Sequence, residues 1–172
     1  MILLIVAVFD IDGVLVDPSK RLKKCLEEQG AKFLKDLDRA RKQAFWECFL
    51  SDKYMDLDEP IIENIRYVQK LKENGVKIVL LTGRREDTQK TATLMQIKKW
   101  KIPCDKIYFR RKNDRRKDYI YKANILKLLL KRNYKIVEIW DDMEDVAKKL
   151  KEISPKTKVI LYNPHTKQKI IL

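Results

Sequence analysis

The feature that most constrains this chain is the stretch LIVAVFDIDG, the close of an apolar run from Ile2 to Phe9 followed at once by Asp10, Ile11, Asp12 and Gly13. A continuous apolar run of this length reads as a strand covered on both faces, the pattern of a central strand in a parallel sheet. It is too short to span a membrane, and no basic residues precede it as in a signal peptide. Unpaired carboxylates are costly to bury, and two of like sign side by side cost more. On a strand, Asp10 and Asp12 point to one side and Ile11 to the other. The pair therefore implies an open strand end and a compensating cation.

The rest of the chain alternates strands with helices. DEPIIENIRYVQKLKENG reads as a helix with Asp58 as N-cap, Pro60 in the first turn, Gly75 as C-cap and a buried stripe of Ile61, Ile65, Val68 and Leu71. Strands are expected at Val76–Leu81, Lys106–Arg110, Lys135–Trp140 and Lys158–Tyr162, with the tail KIIL as an edge strand. Helices are expected at Glu86–Trp100, Asp118–Arg132 and Met143–Ile153. This alternation predicts an α/β three-layer sandwich around a mostly parallel sheet. Residues 17–57 carry a loose helical stripe of Leu34, Leu37, Arg41, Ala44, Phe45 and Phe49. They are expected to form a small helical cap inserted into a core domain of 1–16 and 58–172.

Ligands of a parallel α/β sheet bind beyond the carboxyl ends of its strands. Those ends carry Asp10 and Asp12, then Thr82-Gly83-Arg84, then a basic stretch containing Lys117, then Asp141 and Asp142. Carboxylates gathered from two strand ends make a hard, oxygen-rich site suited to Mg²⁺. One carboxylate can attack phosphorus, a second can move protons, and a threonine hydroxyl and a lysine can hold the transferring group.

The net charge of +14 is uneven: Lys98 to Lys135 holds 15 Lys or Arg against 3 Asp. That suits an anionic partner such as nucleic acid; a solvated lysine-rich surface is the other reading. Cys25, Cys48 and Cys104 are odd in number and far apart, with no CxxC. They argue against a disulfide framework or a cysteine zinc site and for a reducing cytoplasm. Trp46, Trp100 and Trp140 read as core residues, Trp46 being the one that could line a substrate entrance. His165 reads as a loop residue.

FDIDGVLVD, VLLTGR, Lys117 and IWDDMED, in this order, resemble the four motifs of the haloacid dehalogenase phosphatases. The resemblance implies Asp10 as nucleophile and metal ligand, and Asp12 as general acid/base with its backbone carbonyl on the metal. Thr82 and Lys117 would hold the phosphate, and Asp142 would face Mg²⁺ with Asp141 in support. Lys122, one turn further along, competes with Lys117 for the lysine role. RRKNDRRKDYIYK, TGR and WDDMEDV further resemble the 3′-phosphatase half of phage-type polynucleotide kinase–phosphatases. That resemblance puts Gly83 and Arg84 against substrate phosphate and implies DNA or RNA ends as substrate. No GxxxxGK[ST] loop is present, so 5′-kinase activity is not expected. Other readings are a small-molecule or nucleotide phosphatase, a receiver-like domain, disfavoured by the order of its acids, or a nucleic-acid-binding module without catalysis.

Overall fold

The computed structural model describes residues 2–172. The main sheet has six strands: β1 (Leu4–Phe9), β4 (Lys77–Arg85), β5 (Lys106–Arg110), β6 (Tyr134–Asp141), β7 (Lys158–Tyr162) and β8 (Lys169–Ile171). Their spatial order is β5-β4-β1-β6-β7-β8. All neighbours run parallel except β8, which returns antiparallel to β7. A two-stranded ribbon joins β2 (Val16–Asp17) to β3 (Glu59–Pro60).

Alternation along the strands divides the core in two. Ala7, Phe9, Ile78, Leu80 and Trp140 pack with Ile65 and Val68 of α3 (Ile62–Glu73), with Ile97 at the end of α4 (Glu86–Lys99) against them. Val6, Val8, Val79, Leu81 and Ile139 pack on the other face, under α5 (Asp118–Leu130) and α6 (Glu144–Ile153). The result is the three-layer α/β sandwich that the alternation predicts. No described helix is long and apolar enough to cross a membrane.

Between the ribbon strands lie α1 (Ser19–Glu28) and α2 (Arg39–Phe49), with short 3₁₀ turns at Leu34–Asp36 and Met55–Leu57. Cys25, Leu26, Leu37, Phe45 and Cys48 form a small core of their own. The segment is anchored to α4, where the Thr88 hydroxyl donates to the Leu50 carbonyl at 2.5 Å and the Gln96 amide to the Met55 carbonyl at 2.9 Å.

The structure departs from the sequence reading in four places. Cys25 and Cys48 are disulfide-bonded across α1 and α2, against the expectation of free thiols; the fold brings their Cα atoms to 5.8 Å. Asp58 does not cap α3, which starts at Ile62 without a side-chain cap; it turns inward to bind arginines. The apolar run is buried only over Val6–Phe9, and Ile2 to Ile5 are exposed, because β4 begins to pair with β1 only at Val6. Trp46 is 43% exposed, not core.

Cross-linking a loop of 23 residues restricts the unfolded chain and contributes on the order of 3 kcal/mol. Urea unfolding of Cys25→Ser/Cys48→Ser should show a loss of about that size. Dithiothreitol should bring the wild-type protein to the same midpoint and leave the double variant where it was.

Candidate active site

β1 and β6 are adjacent in the sheet, with Phe9 opposite Trp140, so their carboxyl ends deliver Asp10, Asp141 and Asp142 to one place. The Asp10 N–H donates to the Trp140 carbonyl at 3.0 Å. Oxygen atoms of the three carboxylates lie within 4.8 Å of one another. Val6, Val8 and Asp10 share one side of the strand, so Asp10 points toward the α5 layer. From α5, Lys122 reaches down, its ammonium 3.0 Å from Asp10 Oδ1 and 2.7 Å from Asp141 Oδ2. Lys122 is 1% exposed. A third carboxylate, Asp118, sits one turn back on α5 at 3.6 Å from the same ammonium.

These groups perturb one another strongly. Burial pushes Asp10 well above the ordinary carboxylate range, with Asp141 and Asp142 adding to the push and Lys122 opposing it. Burial and the Asp141 charge raise Asp142 to about 6. Burial would lower Lys122, but Asp10 and Asp141 outweigh it and hold the ammonium well above its usual value. One ammonium cannot compensate Asp10, Asp141 and Asp142 together. Hard oxygen donors with that deficit fit a divalent cation of the Mg²⁺ kind.

Asp12 takes a different direction from Asp10. The strand stops at Phe9, and the chain turns through Gly13 at φ +85°. A Cβ on Gly13 would collide with the Asp142 carboxylate, so this turn needs glycine twice over. The turn carries Asp12 away from the acidic cluster, and its carboxylate is not among those grouped there. It accepts from Arg21 at 2.8 Å and from Arg84 at 2.6 and 3.1 Å. Burial alone would raise Asp12, but the two guanidinium groups outweigh it and hold the carboxyl far below its ordinary value.

The same arginines bind Asp58, from Arg21 Nε at 3.0 Å and Arg84 at 3.3 Å. Arg84 also donates to Thr93 at 3.1 Å and Gln96 at 2.7 Å. At 1% exposure with its donors engaged, Arg84 is held away from solvent. In this structure Arg84 grips Asp12.

Thr82 is buried and accepts from the Arg84 N–H at 3.1 Å, which leaves its own hydroxyl proton free to donate. It lies within β4, which runs on through Thr82-Gly83-Arg84 to pair Arg85 with Arg110, so this segment is strand where a following loop was expected. Gly83 lets Asp118 approach; a Cβ there would come within 2.9 Å of its carboxylate.

Lys117 is exposed at the residue preceding α5 and makes no ion pair among the described residues. The structure thus brings Lys122, and not Lys117, to the acids. An acid and a base four apart on a helix, Asp118 and Lys122, were the available signal. Arg21 carried no such signal, being one basic residue among several on α1.

Residues 46–157 match the family described as the polynucleotide kinase PNKP phosphatase domain. The chain belongs to this family. That family is one of phosphatase domains of the haloacid dehalogenase type. The match begins beyond Asp10 and Asp12 but includes Thr82, Arg84, Lys122, Asp141 and Asp142. Among solved structures, a chain of a Pnkp1/Rnl/Hen1 complex aligns with TM-score 0.70 and 20% identity, over 94% of this chain and 46% of that one. A chain of a Pnkp1/Rnl/Hen1 RNA repair complex aligns at 0.67 and 22%, over 94% and 43%. The chain therefore spans less than half the length of those two relatives. A haloacid dehalogenase-like hydrolase from Streptococcus pneumoniae aligns at 0.65 and 16%, over 92% and 85%. No curated protein matches the chain.

The two lysines differ in what their removal should do. Lys122→Met leaves two buried carboxylates unpaired and should cost about 3–5 kcal/mol without Mg²⁺. Lys117→Ala, at an exposed site, should stay within about 0.5 kcal/mol. Urea unfolding of the two variants in EDTA checks the contrast.

Proposed function

We propose that this phosphatase removes phosphate from polynucleotide 3′ ends, with Asp10 attacking phosphorus. The observation that carries the reading is the buried Asp10–Lys122–Asp141 arrangement at the carboxyl ends of β1 and β6. Asp10 Oδ1 is held by the Ile11 N–H at 2.9 Å and by Lys122 at 3.0 Å. That orientation leaves Oδ2 for attack. The Oδ2–phosphorus bond forms as the bond from phosphorus to the 3′ oxygen breaks, and that oxygen leaves with a proton as the 3′-hydroxyl. Water then attacks the aspartyl-phosphate, the Asp10–phosphorus bond breaks, and inorganic phosphate departs.

Lys122 and the Thr82 hydroxyl are the donors assigned to the transferring group, where fixed charge and dipoles act most strongly on developing charge. Asp12 is the proton-moving group. Arg21 and Arg84 hold it as a carboxylate, which is the form that accepts a proton from the attacking water. The proton it takes from that water passes to the 3′ oxygen in the next turnover, so one proton is accepted and one given per cycle.

Asp141 has both oxygens engaged, by Lys122 and by the Met143 N–H at 3.0 Å. Asp10 and Asp142, with the backbone carbonyl of Asp12, are the groups that would hold Mg²⁺. When bound, the cation supplies charge neutralisation and orientation of the phosphate. Residues 17–57 act as the cap over this end of the sheet, and the family's polynucleotide description favours a nucleic-acid end as substrate.

A panel of 3′- and 5′-phosphorylated oligonucleotides, nucleotides and p-nitrophenyl phosphate tests the reading. The expected result is Mg²⁺-dependent release from 3′ ends that stops in EDTA, returns with Mg²⁺ and is lost in Asp10→Asn. Hydrolysis retained in that variant would sink the nucleophile assignment. Equal rates on oligonucleotides and small phosphates would remove the substrate assignment alone.

A further inference from the structure

Helix α2 carries an exposed stripe that nothing in the fold explains. Arg39, Lys42, Gln43 and Trp46 stand at i, i+3, i+4 and i+7, which places them on one face, and all four are exposed. Trp46 leaves 43% of its surface in water, whereas Trp140 leaves 4%. Arg39 and Lys42 make no ion pair among the described residues; Arg41, off the stripe, is tied to Asp38. The one acid of the helix, Glu47, is turned to Gln43, accepting from its amide at 3.2 Å.

One end of the stripe connects to Asp12 through Phe49 and Arg21. Trp46 packs edge-on to Phe49, ring centroids 5.9 Å apart. The Arg21 guanidinium lies 4.5 Å from the Phe49 ring and donates to the Phe49 carbonyl at 3.0 Å. Arg21 in turn holds Asp12. An exposed indole is thus one ring away from the arginine that grips the proton-moving carboxylate, with unpaired cations leading outward from it. A merely solvated basic face needs no exposed tryptophan. Flat aromatic surface beside spaced cations is what a single nucleic-acid strand uses, stacking a base and neutralising its phosphates.

We propose that α2 is the track of the substrate strand: an unpaired base near the reacting 3′ end stacks on Trp46, and upstream phosphates fall on Lys42 and Arg39. This rests on the polynucleotide reading above. The rival location is the loop after β5, whose Arg110 and Arg116 are already bound to Asp118 and Asp114. Its Arg111 and Lys112 are exposed and make no ion pair among the described residues.

The test uses the full chain with Mg²⁺ and a 3′-phosphorylated single-stranded oligonucleotide, with p-nitrophenyl phosphate as reference. Trp46→Ala should lower the ratio of oligonucleotide to p-nitrophenyl phosphate kcat/KM by about 10- to 100-fold, and Trp46→Phe should recover most of it. In the Asp10→Asn background, the oligonucleotide should quench tryptophan fluorescence, and that quench should disappear with Trp46→Phe. Lys42→Ala should reduce the salt slope of oligonucleotide binding by about one; this arm stands even if Trp46→Ala does not fold. An unchanged ratio in Trp46→Ala together with an unchanged slope in Lys42→Ala would overturn the track. So would a loss confined to Arg111→Ala/Lys112→Ala, which would place the strand on the loop. A wild-type protein active on p-nitrophenyl phosphate but not on oligonucleotides would remove the polynucleotide reading itself.

Discussion

Three carboxylates and one ammonium at the carboxyl ends of β1 and β6 set the terms for the rest of the molecule. The sheet forces Asp10 beside Asp141, since Asp10 hydrogen-bonds across to Trp140, the residue preceding Asp141. A fold with that register must bring a cation to the same point, and α5 does so with Lys122. Buried ion clusters of this kind are poor devices for stability, because an apolar replacement of similar volume is often neutral or better. The arrangement makes more sense as reactivity held in place. One ammonium cannot compensate three carboxyl groups, and a divalent cation would make up the difference.

A second charge network a few residues away follows the opposite rule. Asp12 and Asp58 face Arg21 and Arg84, two acids against two bases, with Gln96 and Thr93 taking further donors of Arg84. It is internally neutral and nearly sealed from solvent. Its members come from the turn after β1, from α1, from the return to β3 and from β4. It therefore fixes the α1–α2 segment to the core through the same carboxylate that is proposed to move protons. The close sequence spacing of Asp10 and Asp12 conceals this division. β1 ends at Phe9 and the chain leaves the strand before Asp12, so two carboxylates that a straight strand would set on one side join different networks.

Much of the frame was legible in the chain. Lys106–Arg110 and Lys158–Tyr162 form strands with the bounds their apolar patterns suggest, and Asp10, Asp141 and Asp142 meet at the carboxyl ends of β1 and β6. What sequence could not supply was pairing across distance. Asp58 has the local signature of a helix cap, yet two arginines 37 and 26 residues away claim it. Lys117 and Lys122 are equivalent as letters; only the direction in which α5 leaves the sheet separates them. Cys25 and Cys48 look like isolated thiols until α1 and α2 pack. The exposed start of β1 has the same origin, since apolar composition does not say where the neighbouring strand begins.

These long-range pairings also connect the covalent staple to the chemistry. Arg21 and Cys25 are one helical turn apart on α1, and both are buried toward α2. Cys48 and Phe49 are consecutive on α2, and Phe49 presents both its ring and its carbonyl to Arg21. The disulfide therefore fixes the spacing of the two helices at the point where Arg21 is gripped. Arg21 in turn sets how strongly Asp12 is held in its ionised form, because the guanidinium acts through distance and desolvation at once. The acidic cluster, by contrast, is carried by the carboxyl ends of β1 and β6 and by α5, with no part from α1 or α2. The fold thus separates the acidic cluster around Lys122 from a carboxylate, Asp12, whose arginine partner Arg21 is seated between two cross-linked helices.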